Sequence, residues 1–270
     1  MIITPSTYAQ TWESNLTASA RDGTTITASA TIHTKGSWSV LIAATTREAY
    51  GIVVGIHGVQ ASATATSQLV DIGFGPASSE RVIIPNLDAG AAPTDTPPKQ
   101  WIIPIYIPSG ARLVARNQAL IASDTALVVA MLIERPLYEY HAIRCTDYGT
   151  NLSLSQGTSV TPGNAVFGSW TQLTASTARD HFLWTIGTDQ LADTTLTNLR
   201  LLVELGHGPT STSVRSIGVW QAGTDSSERV YGLLPAVPIY HPVPSSSGIW
   251  ARAAASTTPE ARGVIAYGID

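Results

Sequence analysis

The chain has 270 residues, a formal net charge of −4 and only 13% charged residues, and two of its 15 basic residues are lysines. It contains no basic run, so it lacks the electrostatic footprint of a nucleic-acid-binding protein. It also contains no stretch of 18 apolar residues that could span a bilayer. We therefore expect no direct nucleic-acid partner and no membrane partner.

The low charge density favours a surface that is partly covered by neighbouring molecules, because charged side chains are depleted at interface cores. The alternative is an ordinary small β-rich protein with a Ser/Thr surface. Residues 1–5 lack the charged head and apolar run of a secretory signal peptide, which predicts synthesis in a cytoplasm. The single cysteine, Cys145, has no intrachain partner and is expected to be a free thiol.

Short runs rich in β-branched and aromatic residues, separated by Gly, Pro, Asn and Ser, predict strands throughout the chain. In chain order they are 24–28, 37–41, 50–56, 67–72, 81–84, 100–103, 111–116, 126–133, 182–186, 199–205, 214–220, 248–253 and 263–267. No sustained 3.6-residue apolar period predicts a helix. Eight such strands in one half are typical of a jelly roll or a similar β-sandwich.

Several patterns occur twice, about half a chain apart. The repeated elements are Gly-Ser-Trp at 36–38 and 168–170, Gly-x-Gly-Pro at 73–76 and 206–209, Pro-Ile-Tyr at 104–106 and 238–240, and Ala-Arg at 115–116 and 251–252. The separation drifts slowly along the chain, as expected for two copies of one fold with short loop insertions. We predict an all-β protein of two tandem antiparallel β-sandwich, jelly-roll-like domains at 1–134 and 149–270, joined by a connection at 135–148.

Two Arg-acid doublets also recur, Arg47-Glu48 and Arg179-Asp180. We interpret them as framework pairs, that is, ion pairs at the sandwich edge or hydrogen bonds that fix a turn. The alternative is a pair of acids in a catalytic site. Asp71 and Glu204 recur as well, and alternation along an apolar strand predicts that both carboxylates face outward without a function.

A long proline-rich segment without strand signal covers residues 86–99. Long loops on a rigid sandwich are usual places for contacts with other molecules. A solvated loop without a role is equally compatible with this composition. The predicted contact residues of this candidate interaction loop are Asp88, Pro93, Asp95, Pro97, Pro98 and Lys99.

No constellation predicts catalysis, a cofactor or a metal. None of the six histidines has a histidine at the matching position of the other half, and HExxH, paired CxxC and GxSxG motifs are absent. The turn at 73–76 lacks the Gly-Lys-Ser/Thr of a phosphate loop, so a β-bulge or turn is predicted there. We therefore predict no catalytic, cofactor-binding or metal-binding residue.

The most specific stretch spans residues 101–116, with prolines at 104 and 108, Ser-Gly at 109–110 and arginines at 112 and 116. It resembles a stretch found in structural proteins of tailed bacteriophages, and a weaker echo covers 238–252. This resemblance covers a minority of the chain. It implies a virion component, made in the bacterial host cytoplasm, that associates with viral capsid or tail proteins and with itself.

We accordingly expect a non-enzymatic virion structural protein that decorates and cements an assembled capsid, with a tail or baseplate component as the first alternative. A second alternative is a lectin-like carbohydrate-binding module, because sandwiches can present exposed aromatic side chains to sugars. Its candidate platforms are Trp101, Trp220 and Trp250, although tryptophans of a sandwich are more often buried. A glycoside hydrolase has the weakest support.

Overall fold

The computed structural model describes residues 11–16, 23–59, 67–89, 99–135, 142–190, 200–224, 230–231, 236–256 and 261–270. Over these residues the protein is all-β, and none of them is helical. The same residues accordingly provide no helix that is long and apolar enough to cross a membrane. The prediction of an all-β protein is confirmed.

The described ranges contain twenty-one strands. They are β1 (Thr11–Ser14), β2 (Thr24–Thr27), β3 (Ser39–Ile42), β4 (Gly51–Val59), β5 (Gln68–Phe74), β6 (Arg81–Asp88), β7 (Lys99–Ile103), β8 (Leu113–Ala119), β9 (Thr125–Ile133), β10 (Cys145–Tyr148), β11 (Thr150–Asn151), β12 (Gln156–Val160), β13 (Gly163–Asn164), β14 (Thr171–Thr174), β15 (His181–Gln190), β16 (Arg200–His207), β17 (Arg215–Thr224), β18 (Val230–Tyr231), β19 (Ile239–Val243), β20 (Ile249–Ala255) and β21 (Arg262–Ile269).

These described strands form four sheets, and among their pairings all are antiparallel except that of β13 with β20. Sheet 1 has the order β1-β9-β4-β7, with β2 also on β9, and sheet 2 has the order β3-β8-β5-β6. Sheet 3 runs β11-β12-β21-β15-β19, with β10 also on β21. Sheet 4 runs β13-β20-β16-β17-β18, with β14 also on β20. Sheets 1 and 2 thus use only strands that precede residue 134, and sheets 3 and 4 only strands that follow it.

Burial along the central strands explains why these segments pair. In β9, four core-facing side chains are at most 3% exposed and alternate with partly exposed ones: Ala126, Val128, Ala130 and Leu132. This is the pattern of a strand with one buried face. All eight residues of β21 are buried instead, because this strand has partners on both edges and is covered on both faces.

Large side chains join sheets 1 and 2 to sheet 3. The fully buried indole of Trp101 on β7 donates its Nε1–H to the carbonyl oxygen of Ile186 on β15, at 3.0 Å. The buried Tyr267 of β21 donates its hydroxyl proton to the carbonyl oxygen of Asn86 at 2.8 Å and accepts the N–H of Asp88 at 2.9 Å. These bonds satisfy polar atoms that the contact removes from water.

The segment 135–148 was predicted to be a connection, but its last four residues are a strand. β10 pairs with β21 from Cys145 opposite Ile269 to Tyr148 opposite Ala266. Residues 136–141 lie outside the described residues. Cys145 and Tyr148 are buried, and the two residues between them are half-buried. The strand is held in place by its pairing with β21. The free Cys145 thiol is buried, and desolvation raises its pKa well above the ordinary value, so it is a poor nucleophile.

Candidate functional site

The candidate interaction loop has only its two ends in the described part of the chain. Asp88 is fully buried, and the Lys99 ammonium lies 3.6 Å from its carboxylate and donates to the carbonyl oxygen of Thr188 at 2.7 Å. The prediction that Asp88 and Lys99 are external contact residues therefore needs correction, because Asp88 of sheet 2 and Lys99 of sheet 1 both make their contacts with sheet 3. The other four, Pro93, Asp95, Pro97 and Pro98, lie outside the described residues.

The first Arg-acid doublet makes its contacts with other residues. Arg47 forms an exposed ion pair with Glu134, with 2.9 Å between Nη1 and Oε1. The carboxylate of Glu48 accepts the hydroxyl protons of Tyr50 at 2.7 Å and Tyr106 at 3.4 Å. Arg47 therefore pairs with an acid that is distant in sequence and not with the adjacent Glu48. Both residues of the doublet hold neighbouring segments of the chain together.

The second doublet fixes a turn. Asp180 accepts the backbone N–H of Ser245 at 2.6 Å. Burial lowers the pKa of the neighbouring His181, and the charge of Arg179 adds to this effect. The doublets thus mark equivalent corners, because the buried hydroxyls of Thr45 and Thr177 donate to the carbonyl oxygens of Pro108 and Pro244, respectively.

The acid in β5 belongs to a buried charge cluster on the outer side of sheet 2. Asp71 lies directly opposite Arg116, which donates from Nε to Oδ2 at 2.8 Å. Lys35 donates from Nζ to Oδ1 at 2.8 Å, and burial lowers the pKa of this ammonium even though Asp71 opposes the effect. The Arg116 guanidinium also stacks 4.4 Å above the ring centre of Trp38.

The acid in β16 has an equivalent environment on sheet 4. Glu204 lies directly opposite Arg252, whose Nε donates to Oε2 at 2.7 Å. The Arg252 guanidinium lies 4.4 Å from the ring centre of Trp170 and 4.8 Å from that of Phe167. We call the set formed by Asp71, Arg116 and Trp38 the first stack, and the set formed by Glu204, Arg252 and Trp170 the second stack.

A glycine beneath each tryptophan makes room for the ring. A Cβ atom on Gly73 would lie 2.9 Å from the Trp38 ring, and one on Gly206 would lie 3.0 Å from the Trp170 ring. The strand register shifts at both glycines, and the shift at Gly73 agrees with the bulge or turn predicted at 73–76. Asp71 and Glu204 are only 3% and 6% exposed, because the stacks cover them.

The tryptophans predicted as sugar platforms are unsuited to that role. Trp101 is 1% exposed and Trp220 is 7% exposed, since both contribute to the core. Trp250 is half-buried and donates its Nε1–H to the carbonyl oxygen of Gly208 at 2.8 Å. Two of the three tryptophans are therefore buried, which is the more common state of this side chain in a β-rich protein.

An exposed apolar surface that sequence reasoning missed lies where three turns meet. Four aliphatic side chains on these turns are 40–53% exposed: Ile32, Leu120, Leu152 and Leu154. We call this set the apolar turn patch. The turns at 29–34, 120–124 and 152–155 contain one charged residue, Asp124, and it is 1% exposed. The patch thus presents apolar groups without a charge among them.

Hydrogen bonds hold the three turns together. The backbone N–H of His33 donates to the carbonyl oxygen of Ala119 at 2.9 Å. The amide of Gln118 donates to the carbonyl oxygen of Leu152 at 2.6 Å and to Ser155 Oγ at 3.2 Å. Ser155 Oγ also lies 3.0 Å from His33 Nδ1. Two turns that precede residue 134 are therefore fastened to one that follows it.

Each turn of the patch also contains a non-glycine residue in the left-handed region. The φ angles are 56° at His33, 58° at Ser123 and 54° at Ser155. This conformation is uncommon for residues with a side chain and persists where surrounding contacts impose it. The backbone of the three turns is consequently held in a defined conformation.

The described residues contain no group of three or more His, Cys, Asp or Glu side chains placed to hold a metal ion. Asp71 and Glu204 are held in ion pairs with arginines, and His181 is fully buried with its Nε2 2.6 Å from the Tyr148 hydroxyl. A carboxylate or imidazole with such partners lacks access to a substrate. The repeated acids are therefore structural parts of the two stacks.

No family model and no curated protein matches this chain. Among the solved structures that resemble it are three with a TM-score of 0.31 each. One is a peptide-N4-(N-acetyl-β-D-glucosaminyl) asparagine amidase, 10% identical, covering 92% of this chain and 96% of that one. Another is a recombinant peptide:N-glycanase F, 10% identical, covering 87% and 88%. The third is PNGase F, a glycosylasparaginase from Flavobacterium meningosepticum, 9% identical, covering 87% and 89%.

The comparison contradicts the expectation that this chain is not an enzyme, because the three matched structures are those of amidases and glycanases. Their similarity to this chain is a weak one at the level of the fold. Neither their activity nor any of their residues is assigned to this chain on that ground.

Proposed function

We propose that this chain is a structural component of a tailed-bacteriophage virion, which binds the assembled capsid shell as a decoration protein. A tail or baseplate position is the alternative. The apolar turn patch is the observation that carries the proposal. Large aliphatic side chains grouped on one surface without charges are typical of places where another protein binds.

The second support is the organisation that we propose for the fold, two tandem jelly-roll-like sandwiches that arose by duplication. The order β9-β4-β7 of sheet 1 corresponds to β21-β15-β19 of sheet 3, and β3-β8-β5-β6 of sheet 2 corresponds to β14-β20-β16-β17 of sheet 4. The two stacks occupy corresponding strands. In this proposal the domains are residues 1–134 and 149–270.

The proposed partners are capsid or tail proteins and further copies of this chain, after synthesis in the bacterial host cytoplasm. The hydrogen bonds between the three turns make the patch a pre-organised surface, which lowers the entropic cost of binding. Repetition of the binding site over a symmetric shell would add avidity. The net charge of −4 suits an outward position, away from packaged DNA.

The test is cosedimentation of the purified chain with empty capsids and, separately, with tails of the phage that encodes it. We expect pelleting with capsids. The double substitution Leu152→Ser/Leu154→Ser should lower the bound fraction at a given concentration by about tenfold, as loss of a central apolar contact does. The matched control is Val166→Ser, because Val166 is 66% exposed and lies outside the patch.

Pelleting with tails alone would replace the capsid position by the tail alternative. Failure to pellet with either particle would overturn the virion proposal. Equal binding by the double variant and the native chain would remove the patch from the interface. Circular dichroism and thermal unfolding of each variant verify the fold, which is expected to persist because the substituted side chains are largely exposed.

A further inference from the structure

Two histidines meet where sheets 3 and 4 approach each other. His207 is the last residue of β16, and His241 lies in the middle of β19. Their Nε2 atoms form a hydrogen bond of 3.2 Å, in which one ring donates and the other accepts. The ring centroids are 5.2 Å apart, and the ring planes make an angle of 62°. Neither residue has a histidine at the matching position of the other half.

We propose that His207 and His241 form a binding site for a divalent transition-metal ion, with the two Nε2 atoms as ligands. Imidazole nitrogens bind zinc at about 2.0–2.1 Å, so two of them on a tetrahedral ion are separated by about 3.3 Å. Rings that point at such an ion have centroids about 5.2 Å apart. The observed spacings of 3.2 Å and 5.2 Å match both values.

The backbone holds both rings on regular structure. His207 is paired with Arg215 of β17 on one side and with Ile249 of β20 on the other. The carbonyl oxygen of His241 accepts the indole N–H of Trp184, a fully buried side chain, at 3.1 Å. Ligands on strands with such support keep their separation without a metal, which reduces the cost of binding one.

A metal ion would replace the hydrogen bond between the two rings. Each neutral imidazole would then carry its proton on Nδ1 and offer the lone pair of Nε2 to the ion. Both rings remain half-exposed, so an ion can reach them from solvent.

The ligand set selects the class of ion. Neutral imidazoles suit Zn²⁺, Ni²⁺ and Cu²⁺, whereas Mg²⁺ and Ca²⁺ require oxygen ligands. The cationic Arg215 close to His207 opposes binding, so the affinity is expected to be modest. Two ligands from the chain leave coordination positions for water, or for a carboxylate, thiolate or imidazole of another molecule. This inference is independent of the virion proposal.

The test is isothermal titration calorimetry of the full chain with ZnCl₂. We expect a site with a stoichiometry of one, and His207→Ala and His241→Ala should each weaken it by about tenfold or more, because each removes one ligand. The control His57→Ala removes a half-buried histidine of β4 and should bind as the native chain does. Ni²⁺ and Cu²⁺ should compete for the site, and Mg²⁺ should not.

A second readout guards against variants that fail to fold. Zn²⁺ should raise the thermal midpoint of the native chain by mass action, and it should raise that of His241→Gln much less. The glutamine keeps a side chain of similar length, and circular dichroism verifies its fold. Zinc binding of undiminished strength in a folded His207→Ala or His241→Gln chain would overturn the proposal, as would the absence of zinc binding to the native chain.

Discussion

The two stacks place a buried carboxylate on the outer side of a sheet, but they surround it differently. Asp71 has two cationic partners, Lys35 and Arg116, each at 2.8 Å. Glu204 has the arginine alone, and the position that matches Lys35 is Phe167, which packs against Arg252. The constant elements are the acid, the arginine and the tryptophan. The fourth position differs between the stacks. Lys35 contacts the carboxylate in the first stack, whereas Phe167 contacts the guanidinium in the second.

The largest effect that would sharpen this comparison is expected at the acids themselves. Asp71→Asn leaves the deeply buried Lys35 ammonium without its charged partner and should lower the free energy of unfolding by about 3 kcal/mol or more. Glu204→Gln should cost about 1–2 kcal/mol, because the Arg252 side chain is 31% exposed and keeps its aromatic contacts. Urea unfolding of both variants measures the difference.

Equal losses in the two variants would break the comparison, since they would show that the second cation adds nothing to the first stack. The two losses of free energy can be ranked only if the free energy of unfolding depends on urea concentration with the same slope in both variants and in the native chain. An altered slope would mean that the unfolded or folded state had changed as well.

A smaller effect, on the pH dependence of the free energy of unfolding, is expected from His181. The matching position in the first half is Ala49, which does not titrate. Burial lowers the pKa of His181, so the unfolded chain takes up a proton at a higher pH than the folded chain does. The free energy of unfolding should therefore fall as the pH drops below about 6.5 and level off below the folded-state pKa. The groups facing this ring are Tyr148, Arg179, Asp180 and Asp270.

The measurement is the free energy of unfolding of the native chain and of His181→Gln between neutral pH and pH 5. The variant should lose less stability over this interval, because one group that favours the unfolded state in acid is gone. His207 and His241 titrate in both proteins and cancel in the difference. A steeper acid dependence in the variant would contradict this assignment.

The smallest effect is expected when the first stack is made more like the second. Lys35→Met removes the additional cation and leaves Asp71 with Arg116 and the backbone N–H of Asn86. The free energy of unfolding should change by less than about 1 kcal/mol, since an apolar residue of similar size avoids the cost of burying an ammonium. A loss as large as that of Asp71→Asn would show that the lysine is essential. Urea unfolding again measures it.

The sequence was informative about strands because alternation and punctuation are local properties. The runs at 126–133 and 263–267 correspond to β9 and β21, and all eight strand segments predicted before residue 134 have counterparts. β10 and β12 were missed, since their residues are polar or mixed and pairing with β21 determines their conformation. Sequence-distant pairing of this kind leaves little trace in a single sequence.

The candidate sites were harder to predict for a related reason. The sequence repeats identified the acid, the arginine and the tryptophan of each stack as separate features. Only the strand register shows that the acid lies opposite the arginine, as Asp71 does with Arg116 and Glu204 with Arg252. The apolar turn patch combines single aliphatic residues from three distant turns, and no local pattern announces it. The rule that discounted unrepeated histidines also hid the pair formed by His207 and His241.

The position of β9 within sheet 1 has a consequence for how the protein is made. β9 separates β4 from β1 and β2, although all three are earlier in the chain. During translation these strands therefore leave the ribosome without the neighbour that joins them, and the sheet can close only after β9 has emerged. The same holds for β10, β12 and β15, which wait for β21. Until then the nascent chain has open strand edges, which makes it a natural client for chaperones.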